Sequence, residues 1–207
     1  MATSAAKENI LKRIRQALNN PVPLPFPDSE GTQSVFPPQA GDMAAIFAEE
    51  FTKIQGKFVF CSGEPDLKQQ LMLLIQEKKW VNLFFKEDRI AGVMGGQDSY
   101  KDLASCDVSV TGCECLVART GTIVMSSAQQ SGRTTSVYAP AHICIAFTKQ
   151  LMYDLEDALI FLKEEYKNKI PSLITFASGP SRTADIEKTL VTGVHGPKEV
   201  YCFLVEG

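Results

Sequence analysis

Residues 57–85 read KFVFCSGEPDLKQQLMLLIQEKKWVNLFF, and the order of patterns in this stretch decides the fold class. The opening KFVFC is a β-rich apolar run, closed by a Ser-Gly turn. Pro65 then suits the first turn of a helix, where its missing N–H costs nothing. Leu67, Leu71, Leu74 and Ile75 recur on one side of that helix. WVNLFF returns to strand composition. Strand, helix, strand in succession is a parallel crossover unit, and it predicts an α/β protein with a largely parallel sheet flanked by helices. Working outward, Asp42 is placed to cap an earlier helix carrying Ile46, Phe47, Glu50, Phe51 and Ile54 at helical spacing, ended by Gly56. Residues 106–147 change character. CDVSV, CECLVA, GTIVMSS, TSVYAP and HICIAF read as strands, forming a strand-rich middle segment. A hairpin closes at 119–122 and a second turn at 130–133. Alternation then resumes with a helix over 149–166 (Leu151, Leu155, Ala158, Leu159, Leu162). It continues through SLITFAS as strand, TADIEKTLV as helix and EVYCFLVE as closing strand.

The amino-terminal residues 4–19 form a helix with Ile10, Ile14, Ala17 and Leu18 on one face, followed by PVPLPFP. Alternating prolines cannot continue a helix and favour an extended path. The expected organisation is therefore an N-terminal helical arm with a Pro-rich linker over 1–40 and an α/β domain over 41–207. The arm helix packs either on its own domain or on a partner subunit, and a homo-oligomer is one possibility.

The 207 residues are 44% hydrophobic and 22% charged, with a formal net charge of -3. No strongly basic face follows, which argues against nucleic acid as a partner. The N-terminus lacks the apolar segment of a secretory signal. The longest uncharged stretch, 134–148, is too short and too polar to be a membrane span. A cytoplasmic location is the expectation. Six cysteines are present, mostly among β-forming residues, and read as buried free thiols. Cys113 and Cys115 lack zinc-ligand spacing and there is no iron–sulfur run, so neither metal nor cofactor is expected on this chain.

Two clusters suit an anionic small molecule. In SGPSRTADIE, residues 178–187, Gly179, Ser181, Arg182 and Thr183 precede an expected helix whose first N–H groups are unpaired. The same residues equally suit an ordinary N-cap. Thr120, Gly121 and Thr122, with Arg133, form the second cluster; its plainer reading is a hairpin turn. His142 and His195 are the two histidines, each able to act as a general acid or base near neutral pH. No nucleophile completes a triad with them, so no catalytic residue is assigned.

The successive segments GCECLVARTGTIVMSS (112–127), SGRTTSVYAPAHICIAF (131–147) and SGPSRTADIEKTLVTGVHGPKEVYCFLVE (178–206) resemble the lactate-utilisation protein C family, the LUD domain. The N-terminal helix and Pro-rich connector are similar too. The resemblance implies a fold related to the ribose-5-phosphate isomerase, glucosamine-6-phosphate deaminase and CoA-transferase group. It also implies a part in oxidising L-lactate to pyruvate, beside partner subunits that carry iron–sulfur clusters. The expected role is an accessory or ligand-binding subunit of that system. The alternative is a stand-alone enzyme acting on a phosphorylated or CoA-linked small molecule. Arg119 stands where many relatives carry an acid before the Thr/Ser-Gly turn, so a carboxylate mechanism is not carried over.

Overall fold

Residues 5–19, 39–96, 99–167, 169–183 and 191–207 are described by the computed structural model of the chain. The chain divides into two units, Met1–Gln39 and Ala40–Gly207. In the first, helix α1 (Ala5–Asn19) forms as its apolar spacing predicts, with Glu8 in its first turn. The PVPLPFP linker lies outside the described residues.

In the second unit, α2 (Met43–Lys53) starts where Asp42 Oδ1 accepts the Ala44 N–H at 2.9 Å. It closes where the Gly56 N–H donates to the Phe51 carbonyl at 2.8 Å. Strand β1 (Lys57–Cys61) leads to α3 (Glu64–Lys78), with proline in its first turn as expected. Next come β2 (Leu83–Phe84), α4 (Asp88–Val93) and β3 (Val108–Thr111). The middle segment supplies β4 (Cys115–Val117), β5 (Thr122–Ser126), α5 (Thr135–Tyr138) and β6 (Ala141–Phe147). The chain ends with β7 (Leu151–Met152), α6 (Leu155–Tyr166), β8 (Ile174–Ala177), β9 (Arg182–Thr183), β10 (Val191–Thr192) and β11 (Glu199–Val205).

Five strands form a wholly parallel sheet in the order β1-β11-β6-β3-β2. The strand period of two divides its side chains cleanly. Ile143, Ile145 and Phe147 of β6, with Tyr201, Phe203 and Val205 of β11, pack with α3 and α4 on one face. Cys144 and Ala146, with Val200, Cys202 and Leu204, pack on the other face against Phe47 and Phe51 of α2 and against Leu116, Ile123 and Met125. Those last three belong to a second sheet, ordered β7-β4-β5-β8, in which β4, β5 and β8 are antiparallel neighbours. Its outer face carries Cys115, Val117 and Val124 under Ala158 and Leu162 of α6. This second unit is thus layered as helices, parallel sheet, α2 with the second sheet, then α6. All six cysteines are buried and free.

Three local expectations need correction. TSVYAP is not a strand. The Thr135 hydroxyl donates to the Ser131 carbonyl and the Tyr138 N–H to the Thr134 carbonyl, which winds the segment into the single turn α5. The helix expected over 149–166 begins only at Leu155, because Leu151 pairs with Leu116 in β7 and Asp154 caps the next residue. Thr183 and Val191, the two ends of the expected helix, are strand residues instead. Thr183 pairs antiparallel with Val191, and Arg182 with Thr192; the helix interior, 184–190, lies outside the described residues.

Candidate functional site

The amino ends of β6 and β11 are held by backbone bonds between three separate segments. The Lys198 N–H donates to the Pro140 carbonyl at 2.8 Å and the Ser181 N–H to the Pro197 carbonyl at 3.0 Å. The Gly193 N–H donates to the Ser181 carbonyl at 2.9 Å. Gly196 is needed there, since a Cβ would sit 2.9 Å from Ser181 Cβ. Beside these bonds lies a half-open cavity of about 150 Å³ between the two sheets, whose lining includes Met125, Val137, His142, Thr175, Gly179, Ser181 and His195. A wider opening of about 290 Å³, lined by Val137, Tyr138, Gly193, Val194 and His195, adjoins it.

His142 is 1% exposed and pairs in register with Ser109 of β3. Its Nε2 lies 2.8 Å from Thr111 Oγ1, and the Thr111 hydroxyl donates to the Gly112 carbonyl at 2.8 Å. Burial penalises the charged imidazolium and pushes the His142 pKa down to about 4. Ser109 Oγ, on the same strand face, is buried with no hydrogen-bond partner among the described residues. His195 is exposed at the mouth and borders both the cavity and the opening. The inner wall is therefore uncharged, with hydroxyl, imidazole and apolar groups. It suits hydrogen bonding to a small neutral group.

The cavity gathers His142, His195, Gly179 and Ser181 from the residues singled out in the sequence. The other cluster does approach this loop, since Thr122 Oγ1 lies 2.8 Å from Ser178 Oγ and from Thr120 Oγ1. Helix α2 occupies the junction, however. A Cβ on Gly121 would lie 2.5 Å from Phe51 N, and one on Gly179 would lie 2.5 Å from the Ile54 carbonyl oxygen. Arg182 donates to that same carbonyl, and Arg133 donates to Ser172 Oγ. Thr120, Gly121, Thr122, Arg133 and Arg182 thus serve hairpin, helix and loop contacts rather than the cavity wall. Thr183 lies in β9. Thr111, Ser136, Val137 and Thr175 were not foreseen as site residues. The only signal for Thr111 is that CDVSV and HICIAF become neighbouring strands.

Arg119 forms a two-point ion pair with Asp154, with Nε–Oδ2 2.9 Å and Nη2–Oδ1 2.6 Å. The guanidinium holds the Asp154 carboxyl below its usual range. Asp154 also caps α6 through the Leu155 N–H. Asp154→Ala removes cap and ion pair together and is expected to cost about 1–2 kcal/mol in urea unfolding, because each contributes about a kilocalorie.

Among the described residues, no group of three His, Cys, Asp or Glu side chains is arranged to hold a metal, and no helix is long and apolar enough to cross a membrane. The LUD domain family model matches residues 56–205. The chain belongs to the LUD domain family. Lactate utilization protein C of Bacillus subtilis is similar to this LUD domain at 32% identity over 112 residues, covering 53% of this chain and 47% of that protein. An uncharacterized protein of Neisseria meningitidis serogroup B is 35% identical over 94 residues, covering 45% of this chain and 40% of its own. The matches span about half or less of those relatives' length. The crystal structure of a DUF162 family protein from Deinococcus radiodurans superposes with a TM-score of 0.59 at 17% identity, covering 79% of this LUD chain and 96% of that one. That likeness establishes the fold, an α/β architecture with a helix-flanked parallel sheet.

Proposed function

We propose that this LUD-domain chain is a ligand-binding subunit in lactate utilisation, acting beside iron–sulfur partner subunits that oxidise L-lactate to pyruvate. The observation that carries the proposal is the small cavity bounded by His142, Ser181 and His195. A cavity of about 150 Å³ accepts a molecule the size of benzene. A three-carbon acid fits within that size. Drug-sized and larger ligands occupy roughly 300–1,000 Å³, so a CoA ester would have to lie mostly outside. Similarity to proteins named lactate utilization protein C supplies the metabolic setting. Electron transfer is assigned to the partners.

The alternative, turnover by this chain alone, draws on the two histidines in one cavity. Its phosphorylated or CoA-linked substrate has less support, because a ligand of that size would lie mostly outside the cavity.

Calorimetric titration of the purified chain with L-lactate, pyruvate and CoA tests the proposal. Saturable heat with the three-carbon acids is expected. Ser181→Trp, which adds bulk to the cavity wall, should lower that affinity at least ~10-fold. Arg133→Ala should leave it unchanged. Binding of CoA alone, or binding indifferent to Ser181→Trp, contradicts the assignment.

A further inference from the structure

The hydrogen bonds around His142 favour one placement of its ring proton. Thr111 Oγ1 has one hydrogen, and the Gly112 carbonyl at 2.8 Å, Met125 Sδ at 3.9 Å and His142 Nε2 at 2.8 Å all lie within its reach. The carbonyl can only accept, so we assign the hydrogen to it; Thr111 Oγ1 then accepts from His142 Nε2, which carries the ring proton in this arrangement. Nδ1 is left with a bare lone pair and has no partner among the described residues. It is also absent from the fully enclosed atoms lacking a partner, a state held by Ser109 Oγ. An imidazole that borders a cavity and retains an open lone pair is a fixed acceptor, and an acceptor selects ligands that carry a donor.

We propose that His142 Nδ1 is the specificity-determining acceptor of this cavity, taking a hydrogen bond from a ligand hydroxyl and so favouring a 2-hydroxy acid over the matching 2-keto acid. The inference rests on the ligand-binding role proposed above and names the group that discriminates within it. A hydroxyl donates to Nδ1. A keto oxygen placed there sets lone pair against lone pair and leaves both buried acceptors unpaired, the situation that gives polar sites their sharpest selectivity. The carboxylate of the acid then faces the mouth, where the exposed His195 ring can donate to it. Burial keeps His142 neutral near pH 7, so it does not become a donor by protonation. Thr111 is a positioning residue, since it holds the ring and its tautomer without reaching the ligand.

Two measurements on the full chain test this. With ring-¹⁵N-labelled histidine, the His142 resonances should show Nε2 protonated and Nδ1 unprotonated. L-lactate should shift the Nδ1 resonance, and pyruvate should not. In calorimetry, L-lactate should bind about tenfold more tightly than pyruvate, the value of one buried hydrogen bond. In His142→Phe that ratio should collapse to about one. The resonance experiment uses the unmodified protein, so it decides the matter even if the variant fails to fold. A His142 ring protonated on Nδ1 overturns the inference. Equal binding of the two acids overturns it while leaving the ligand-binding role standing. Binding of neither acid overturns both.

Discussion

Lowering the pH from 6.5 to 4 is expected to remove about 3 kcal/mol of stability through His142 alone. In the unfolded chain the imidazole titrates near 6.5; in the folded protein burial holds it at about 4. Between those values the unfolded state binds a proton that the folded state refuses, so stability falls as pH falls. The contribution is complete above 6.5 and is lost as pH drops through 4. The side chain is only 1% exposed, so bulk solvent screens the effect little. His142→Gln keeps a donor for Thr111 and does not titrate. The wild-type melting temperature should therefore drop by roughly 10 °C more than that of the variant over this window. Parallel pH profiles for the two proteins would show that His142 is hydrated or charged in the fold.

The second large effect belongs to Gly121. Its φ of +57° lies in the left-handed region, and an added Cβ would meet Phe51 N at 2.5 Å and Glu50 C at 2.7 Å. Both contacts are backbone atoms of α2, whose Phe47 and Phe51 are fully buried, so the helix cannot yield without opening the core. Gly121→Ala combines a conformational penalty of about 1 kcal/mol with overpacking of up to about 3 kcal/mol, for a total near 4 kcal/mol. Gly132→Ala is the control. Gly132 has φ +67° but open space around it, so only the first penalty, about 1 kcal/mol, applies. Urea midpoints of the two variants report the difference directly, and equal midpoints would mean that α2 does not press on the hairpin.

Much of the fold was legible because apolar spacing carries it. Leu67, Leu71 and Ile75 are buried on the helix face they were read to occupy, and KFVFC and EVYCFLV are neighbouring parallel strands. Asp42 and Gly56 bound α2 through the bonds expected of a cap and a breaker. The failures came where local bonds overrode composition. TSVYAP is rich in β-branched residues, yet the Thr135 hydroxyl bond to Ser131 winds it into a turn of helix. Leu151 satisfies the helical spacing of residues 149–166, but a parallel partner in β4 claims it. The site was legible only in part. His142, Gly179, Ser181 and His195 stood out as residue types, but their convergence depends on β11 inserting between β1 and β6, which no spacing reveals. At 120–122 the hydroxyl and glycine residues read as a ligand turn or a plain hairpin, and the structure sets Gly121 against the α2 backbone.

The most direct test of the account is a backbone amide map of the ¹⁵N-labelled protein titrated with L-lactate. Chemical-shift changes concentrated at 142, 179–181 and 193–197 are the predicted result. Changes centred instead on 120–122, 133 and 182, with the residues around His142 and His195 silent, would contradict it.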